Sequence, residues 1–309
     1  MYDIIGDIHG HADELTELLH KLGYAEYSGV FRHPSRQVIY CGDFIDRGPH
    51  IKDVLRICRA MWENGAAQAV MGNHEFNALA FHTRHPDRPE DFLRVHSDKN
   101  RKQHRATLEQ LDAAELESAL TWFRTLPICI DAEVLRVVHA CWDDQDFRIL
   151  SQAAKACGYM TTEYLLHATT PGDQVFESIE RVMKGPEMHL PNHCRIEDKD
   201  GHKRSVCRFR WYESPDGHNS ATYSLPASVD PELAAFQVPQ NARPALYHST
   251  EPPVFIGHYW LPDIVPKPLA VNVACTDYSV AKQGMLAAYR HHGERRLVAE
   301  NFVTVPGRK

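Results

Sequence analysis

The chain has 309 residues, 43% of them hydrophobic and 24% charged, which is enough apolar content for a large core. Its formal net charge of −7 argues against general nucleic-acid binding, and no run approaches the ~18 uninterrupted apolar residues of a membrane span. Eight cysteines without a CxxC pair read as scattered core thiols of a reducing, cytoplasmic compartment, and a strand pattern starting beside Met1 leaves no room for a cleavable leader.

In chain order, the first apolar run, Asp3-Ile4-Ile5, ends at Gly6-Asp7-Ile8-His9-Gly10. Leu15, Leu18, Leu19 and Leu22 then repeat at helical spacing, with Asp13 as the expected N-cap and Gly23 as the stop. The second run, Val38-Ile39-Tyr40, ends at Cys41-Gly42-Asp43-Phe44-Ile45-Asp46-Arg47-Gly48, and a helix from Ile51 to about Gly65 follows. The third run, Ala69-Val70-Met71, ends at Gly72-Asn73-His74-Glu75 and opens a helix expected to run through Leu79.

Residues 83–110 are charged, His-rich and weakly periodic, and read as an insertion, partly helical. Helix returns over 112–124, 145–157 and 161–168, and two short strands over 128–138 lead into His139. The segment 185–250 is rich in Pro, His, Asn and Gly and has one strong strand pattern, Ser205–Tyr212. Beyond it, Val254–Gly257, Leu269–Val273, Met285–Arg290 and Arg296–Val298 read as strands, the first ending at His258.

A parallel α/β half followed by a β-rich half, both supplying histidines, predicts an α/β fold. Its expected architecture is a central β-sandwich of two mixed sheets flanked by helices, in one domain spanning 1–309.

Five strand-end turns thus carry Asp, Asn or His. In open α/β sheets such turns converge on one crevice. Oxygen and imidazole donors gathered there predict two divalent metal ions, Mn²⁺ first, with Fe or Zn next. Asp43 is the natural bridge between the ions. Asp7 and His9 would close on one ion, and Asn73, His139 and His258 would complete the other. The planar fork of Arg47 suits a phosphate group. His74 could protonate a leaving oxygen if Asp46 held it cationic, and Glu75 could fix Arg47 or His74 from behind.

Two stretches, His82–Arg105 and Lys184–Arg210, each hold seven Lys/Arg against four acids and so carry net positive charge on an acidic chain. They read either as steering of an anionic substrate or as solvated surface.

The ordered motifs Asp-x-His, Gly-Asp-x-x-Asp-Arg-Gly and Gly-Asn-His-Glu, followed by two isolated strand-end histidines, resemble the calcineurin-like metallophosphoesterases, and the middle two resemble the phosphoprotein phosphatase branch. The resemblance implies that Asp7, His9 and Asp43 bind one metal and that Asp43, Asn73, His139 and His258 bind the other. It further implies that Arg47 and Asn73 face the phosphate and that His74 with Asp46 is the general acid. The implied activity is hydrolysis of a phosphate monoester, on phosphoprotein Ser/Thr/Tyr or on a small molecule, by direct attack of a metal-bridging hydroxide.

The chain departs from the protein-phosphatase pattern where Ala140-Cys141-Trp142 replace glycines after His139. The second phosphate arginine of such enzymes would be Arg208 or Arg210, with Arg210 preferred. Leu120–Pro127 is similar to bacterial diadenosine tetraphosphate hydrolases, which keeps a dinucleoside polyphosphate as the alternative substrate. A metal-free interaction module on the same fold is the third reading.

Of the remaining candidates, His82, His85, His96, His104, His291 and His292 read as surface residues, and Asp277 and Tyr278 as turn residues, with substrate contact as the alternative. His189, His193, Cys194 and His202 fit no standard zinc spacing. Trp142, Trp211, Tyr259 and Trp260 could stack on a base or a phosphotyrosine ring, or pack in the core.

Overall fold

The computed structural model describes all residues except 191–193, 198–202, 229, 241, 243, 263 and 309. Two mixed sheets form its centre. In the larger, Tyr2–Ile5, Gln37–Tyr40 and Ala67–Ala69 run parallel, and Met285–His291 pairs antiparallel with Tyr2–Ile5. Asp277–Tyr278 and Phe302–Pro306 complete that sheet. In the smaller, Val273–Cys275, Val254–Ile256 and Arg136–Val138 run parallel, and Cys129–Asp131 closes the edge.

Side chains of a strand point alternately to its two faces, and the core divides accordingly. Ile4, Ile39, Val137, Phe255, Ala274 and Tyr289 meet in one cluster between the sheets. Their chain neighbours Ile5, Val38, Tyr40, Val138, Val254 and Ile256 belong to the other cluster, with the apolar faces of the helices. A strand buried on both faces reads as a continuous apolar run, which explains the pattern of the sequence. The sandwich expectation holds.

Leu15, Leu18, Leu19 and Leu22 are all fully buried. Each such side chain removed from water contributes about 1.5–3 kcal/mol. Their helix spans Ala12–Lys21, so Asp13 lies in its first turn and is not the cap. The helix after the third ligand turn runs further than expected, Asn73–His82. The 83–110 segment is a hairpin, Arg84–His85 with Arg88–Phe92, followed by the helix Asp98–Gln110.

The long helix Gln174–Lys184 escaped the sequence reading, as did the one-turn helices Ser220–Tyr223 and Pro231–Ala234. The signal of the long one was present: Asp173 accepts from Val175 N as the N-cap, and Val175, Ile179, Val182 and Met183 lie on the buried face. Toward the C-terminus two expected strands move. Leu269–Val273 gives way to Val273–Cys275, and Arg296–Val298 to Phe302–Pro306. The Ser205–Tyr212 pattern yields a strand only at Val206–Arg208. Among the described residues no helix is long and apolar enough to cross a membrane.

Candidate active site

Every ligand candidate stands at the carboxyl end of a parallel strand. Asp7 and His9 follow Tyr2–Ile5, Asp43 follows Gln37–Tyr40, and Asn73 follows Ala67–Ala69. His139 follows Arg136–Val138 and His258 follows Val254–Ile256. Turning so sharply requires unusual backbone. His9, Asp43, Asp46, Arg47 and His258 all have left-handed φ, between 46° and 70°. Such conformations cost on the order of 1–3 kcal/mol each and persist only where the surroundings impose them.

Here the imposing groups are visible. The amides of Ile8 and His9 donate to Asp43 O at 3.1 and 2.9 Å, and Gly48 N donates to His9 O at 2.9 Å. The Glu75 carboxylate accepts from the amides of Asp43 (2.8 Å), Phe44 (2.9 Å), Ile45 (3.4 Å) and Gly72 (3.1 Å). Glu75 therefore holds the Asp43 turn, and not Arg47 or His74 as the sequence suggested. Two glycines are required by space. A Cβ on Gly72 would lie 2.2 Å from Asp43 Oδ1, and one on Gly257 would lie 2.1 Å from Asp7 Oδ1.

Two histidines are fixed by their Nδ1 atoms, His9 on Ile45 O at 2.9 Å and His139 on Cys41 O at 2.7 Å. Each then turns Nε2 toward Asp43, at 3.5 Å in both cases. His9 Nε2 is buried without a hydrogen-bond partner. Asn73 Oδ1 lies 3.0 Å from His139 Nε2 and 2.8 Å from His258 Nδ1. The ligand atoms of His9, Asp43 and His74, and those of Asp43, His139 and His258, form two groups that share Asp43. Asp7 accepts from His258 N with both carboxylate oxygens, at 3.2 and 3.1 Å.

Charge points the same way. Asp7, Asp43 and Asp277 are all at most 2% exposed. Burial, then Asp277 and Asp43, push the Asp7 carboxyl well above its ordinary range. Burial acts on Asp43 in the same sense, but His139, His74 and His9 outweigh it and hold that carboxyl low. Burial and then His74 push His9 down, toward the neutral imidazole that binds a metal. A crowd of buried acids and basic nitrogens, with one nitrogen orphaned, is a donor set that divalent cations would satisfy.

Beside this set, His74 N donates to Asp43 Oδ1 at 3.0 Å, while His74 Nδ1 donates to Asp46 Oδ2 at 2.5 Å. His74 Nε2 thus faces the centre, 3.9 Å from Asp43 Oδ2. The same atom could donate a proton there or serve as a ligand. Burial would raise Asp46, but hydrogen bonds from His104 and His74 outweigh it and keep the group a carboxylate. Arg47 lies over the Trp260 ring, 4.5 Å from its centroid, and its buried Nε has no hydrogen-bond partner.

Other expectations need correction. Arg210 pairs with Glu213 at 3.2 Å, and Arg208 donates to Lys184 O. Their side chains are thus committed to Glu213 and to the Lys184 carbonyl. Trp142, Trp211 and Tyr259 are core residues, the last with its ring 5.8 Å from that of His258, while the half-buried Trp260 lies against His9 and Arg47. His104 and His291 are buried and not surface residues. Asp277 belongs to a strand, and its Oδ2 accepts from Trp260 N at 2.8 Å, fixing the turn after His258. Of the suggested zinc group, His193 and His202 lie outside the described residues. His104, Thr107 and Asp277 are site-shaping residues that the sequence reading missed.

Residues 2–177 match the calcineurin-like phosphoesterases. A bis(5'-nucleosyl)-tetraphosphatase from Halalkalibacterium halodurans is 47% identical over 74 residues, 24% of this chain and 30% of that protein. The match thus spans under a third of the relative's length. A cold-active protein-tyrosine phosphatase from a Shewanella species has a similar fold, with TM-score 0.50, 17% identity, and coverage of 99% of this chain and 80% of that one. So has a protein serine/threonine phosphatase from Saccharomyces cerevisiae, with TM-score 0.50, 13% identity, and coverage of 100% and 79%.

Proposed function

The chain belongs to the calcineurin-like phosphoesterase family, a hydrolase of phosphoesters, and from that premise we propose that it cleaves phosphate monoesters of a phosphoprotein or a small molecule. The observation that carries the reading is the shared position of Asp43 in the His9–Asp43–His74 and Asp43–His139–His258 groups, with Asp46 holding His74 from behind. Asp7, His9 and Asp43 would hold one divalent ion, and Asp43, Asn73, His139 and His258 the other. Mn²⁺ suits these donors first, and Fe or Zn next. The bound pair would supply an activated water and neutralise phosphate oxygens.

The chain's own residues do the rest. Glu75 holds the Asp43 turn rigid through four backbone amides. Arg47 has an uncommitted Nε and offers its fork to the phosphate, with Asn73 close by. Asp46 pins His74 Nδ1, so Nε2 can deliver its proton to the leaving oxygen. Arg210 would serve as a second phosphate arginine only by leaving Glu213.

A dinucleoside tetraphosphate is the second reading, favoured by Trp260. Its ring lies against both Arg47 and His9, the latter at 5.8 Å, where a base could stack. The name of the Halalkalibacterium relative supports it too. Assays of Mn²⁺-loaded protein on phosphopeptides, p-nitrophenyl phosphate and diadenosine tetraphosphate separate the two. The first reading expects higher kcat/KM on the monoesters, and preference for the tetraphosphate would replace it by the second. Absence of turnover on all three would contradict both.

A further inference from the structure

The inserted helix Asp98–Gln110 presents three residues, spaced three apart, to the turn that carries Asp46 and Arg47. His104 Nδ1 donates to Asp46 Oδ1 at 2.8 Å. Thr107 Oγ1 donates to the same oxygen at 2.5 Å and accepts from Asp46 N at 3.1 Å. Gln110 Nε2 donates to Gly48 O at 2.9 Å, and its Oε1 accepts from Ile51 N at 2.8 Å. His104 and Thr107 are 5% and 1% exposed.

Asp46 thus divides its carboxylate. Oδ2 goes to His74, and Oδ1 takes two donors from the insertion. Asp46, which this face holds, and Arg47 next to it both have left-handed backbone, φ 67° and 69°. A turn in that conformation needs external hydrogen bonds to persist. Behind the clamp, His104 Nε2 lies 3.2 Å from His82 Nε2. Burial, then His104 and His96, push His82 down to about 4, so it is neutral at pH 7. A neutral His82 can donate its Nε2–H to His104, which leaves the His104 proton on Nδ1, facing Asp46.

We propose that the 98–110 helix is a clamp on the proton-donating pair, with His104 and Thr107 as positioning residues that aim Asp46 at His74. This rests on His74 as general acid. Without Thr107 and His104, the Asp46 side chain loses both donors to Oδ1, and only His74 fixes its rotamer. His74 Nε2 then loses its aim at the leaving oxygen, while the metal ligands and Arg47 side chain keep their own contacts. The deficit should therefore appear only where the leaving group needs a proton.

The test compares kcat for phenyl phosphate, a poor leaving group, with kcat for p-nitrophenyl phosphate, in Mn²⁺-loaded protein. His74→Asn comes first: a loss concentrated on phenyl phosphate supports the general-acid reading, and equal loss on both removes that reading and the clamp with it. Given the first result, Thr107→Val and His104→Ala are each expected to lower kcat on phenyl phosphate about tenfold more than on p-nitrophenyl phosphate. KM should stay unchanged. Thr107→Ser keeps the hydroxyl and should restore wild-type rates, which also controls for folding. In a His74→Asn background, Thr107→Val should change kcat less than twofold, because the group it positions is gone. Equal losses on both substrates, or an undiminished loss in that background, would overturn the clamp and leave the His74 assignment standing.

Discussion

In the strand-end turns each ligand stands beside the strand that carries it, whereas the 98–110 helix reaches the site by side chains alone, Thr107 meeting Asp46 across 61 residues of chain. The turns are built from backbone: left-handed φ at Asp43 and His258, glycine at 72 and 257 where a Cβ has no space, and amides tied to Glu75. The clamp is built from a threonine, a histidine and a glutamine on a helix of low apolar content. The contrast separates two tasks. Charge must be held at fixed points by stiff backbone, while a proton donor must be aimed by hydrogen bonds to its carboxylate partner.

The largest effect is expected at Asp43. Asp43→Asn removes the one carboxylate that, among the described residues, both candidate ligand groups share. Turnover of p-nitrophenyl phosphate should fall on the order of 10³-fold or more, with equal loss for every leaving group. His74→Asn should cost about 10²-fold, but only on poor leaving groups, as kcat against leaving-group acidity would read. If both variants gave the same flat profile, the division between charge-holding and proton-aiming would disappear.

Smaller effects sharpen it. Arg47→Lys keeps the charge and loses the planar fork, so KM for phosphate esters should rise by about tenfold, with kcat less affected. An unchanged KM would remove Arg47 from the phosphate site. Trp260→Leu removes the ring beneath Arg47, and cation–π contacts of this kind contribute about 0.5–2 kcal/mol. The expected rise in KM is about two- to thirtyfold for monoesters. A much larger loss confined to diadenosine tetraphosphate would favour the dinucleotide reading.

What was legible follows the same division. A candidate ligand that sits one to four residues past a buried strand leaves its mark locally, so Asp7, His9, Asp43, Asn73, His139 and His258 could be marked as candidates without a fold. The sandwich was legible for a related reason, since strands buried on both faces read as unbroken apolar runs. His104 carried no such mark. A lone histidine in a charged, weakly periodic stretch looks like a solvated face, and only its tertiary partner shows otherwise. Glu75 misled because adjacency in sequence suggested His74, whereas the helix turn aims its carboxylate back at the amides of 43–45. Asp277 was hidden by the two-residue strand it opens, a length at which turn and strand patterns coincide. The 174–184 helix was missed although its cap and apolar spacing were both present.

If Asp43 joins two divalent ions as proposed, the metal stoichiometry of the protein must show it. Protein stripped with a chelator, reloaded with Mn²⁺ and freed of excess should retain two ions per chain by elemental analysis, with activity returning as they bind. Asp43→Asn should retain at most one. A wild-type protein that holds no metal after reloading yet turns over p-nitrophenyl phosphate at its original rate would contradict the account.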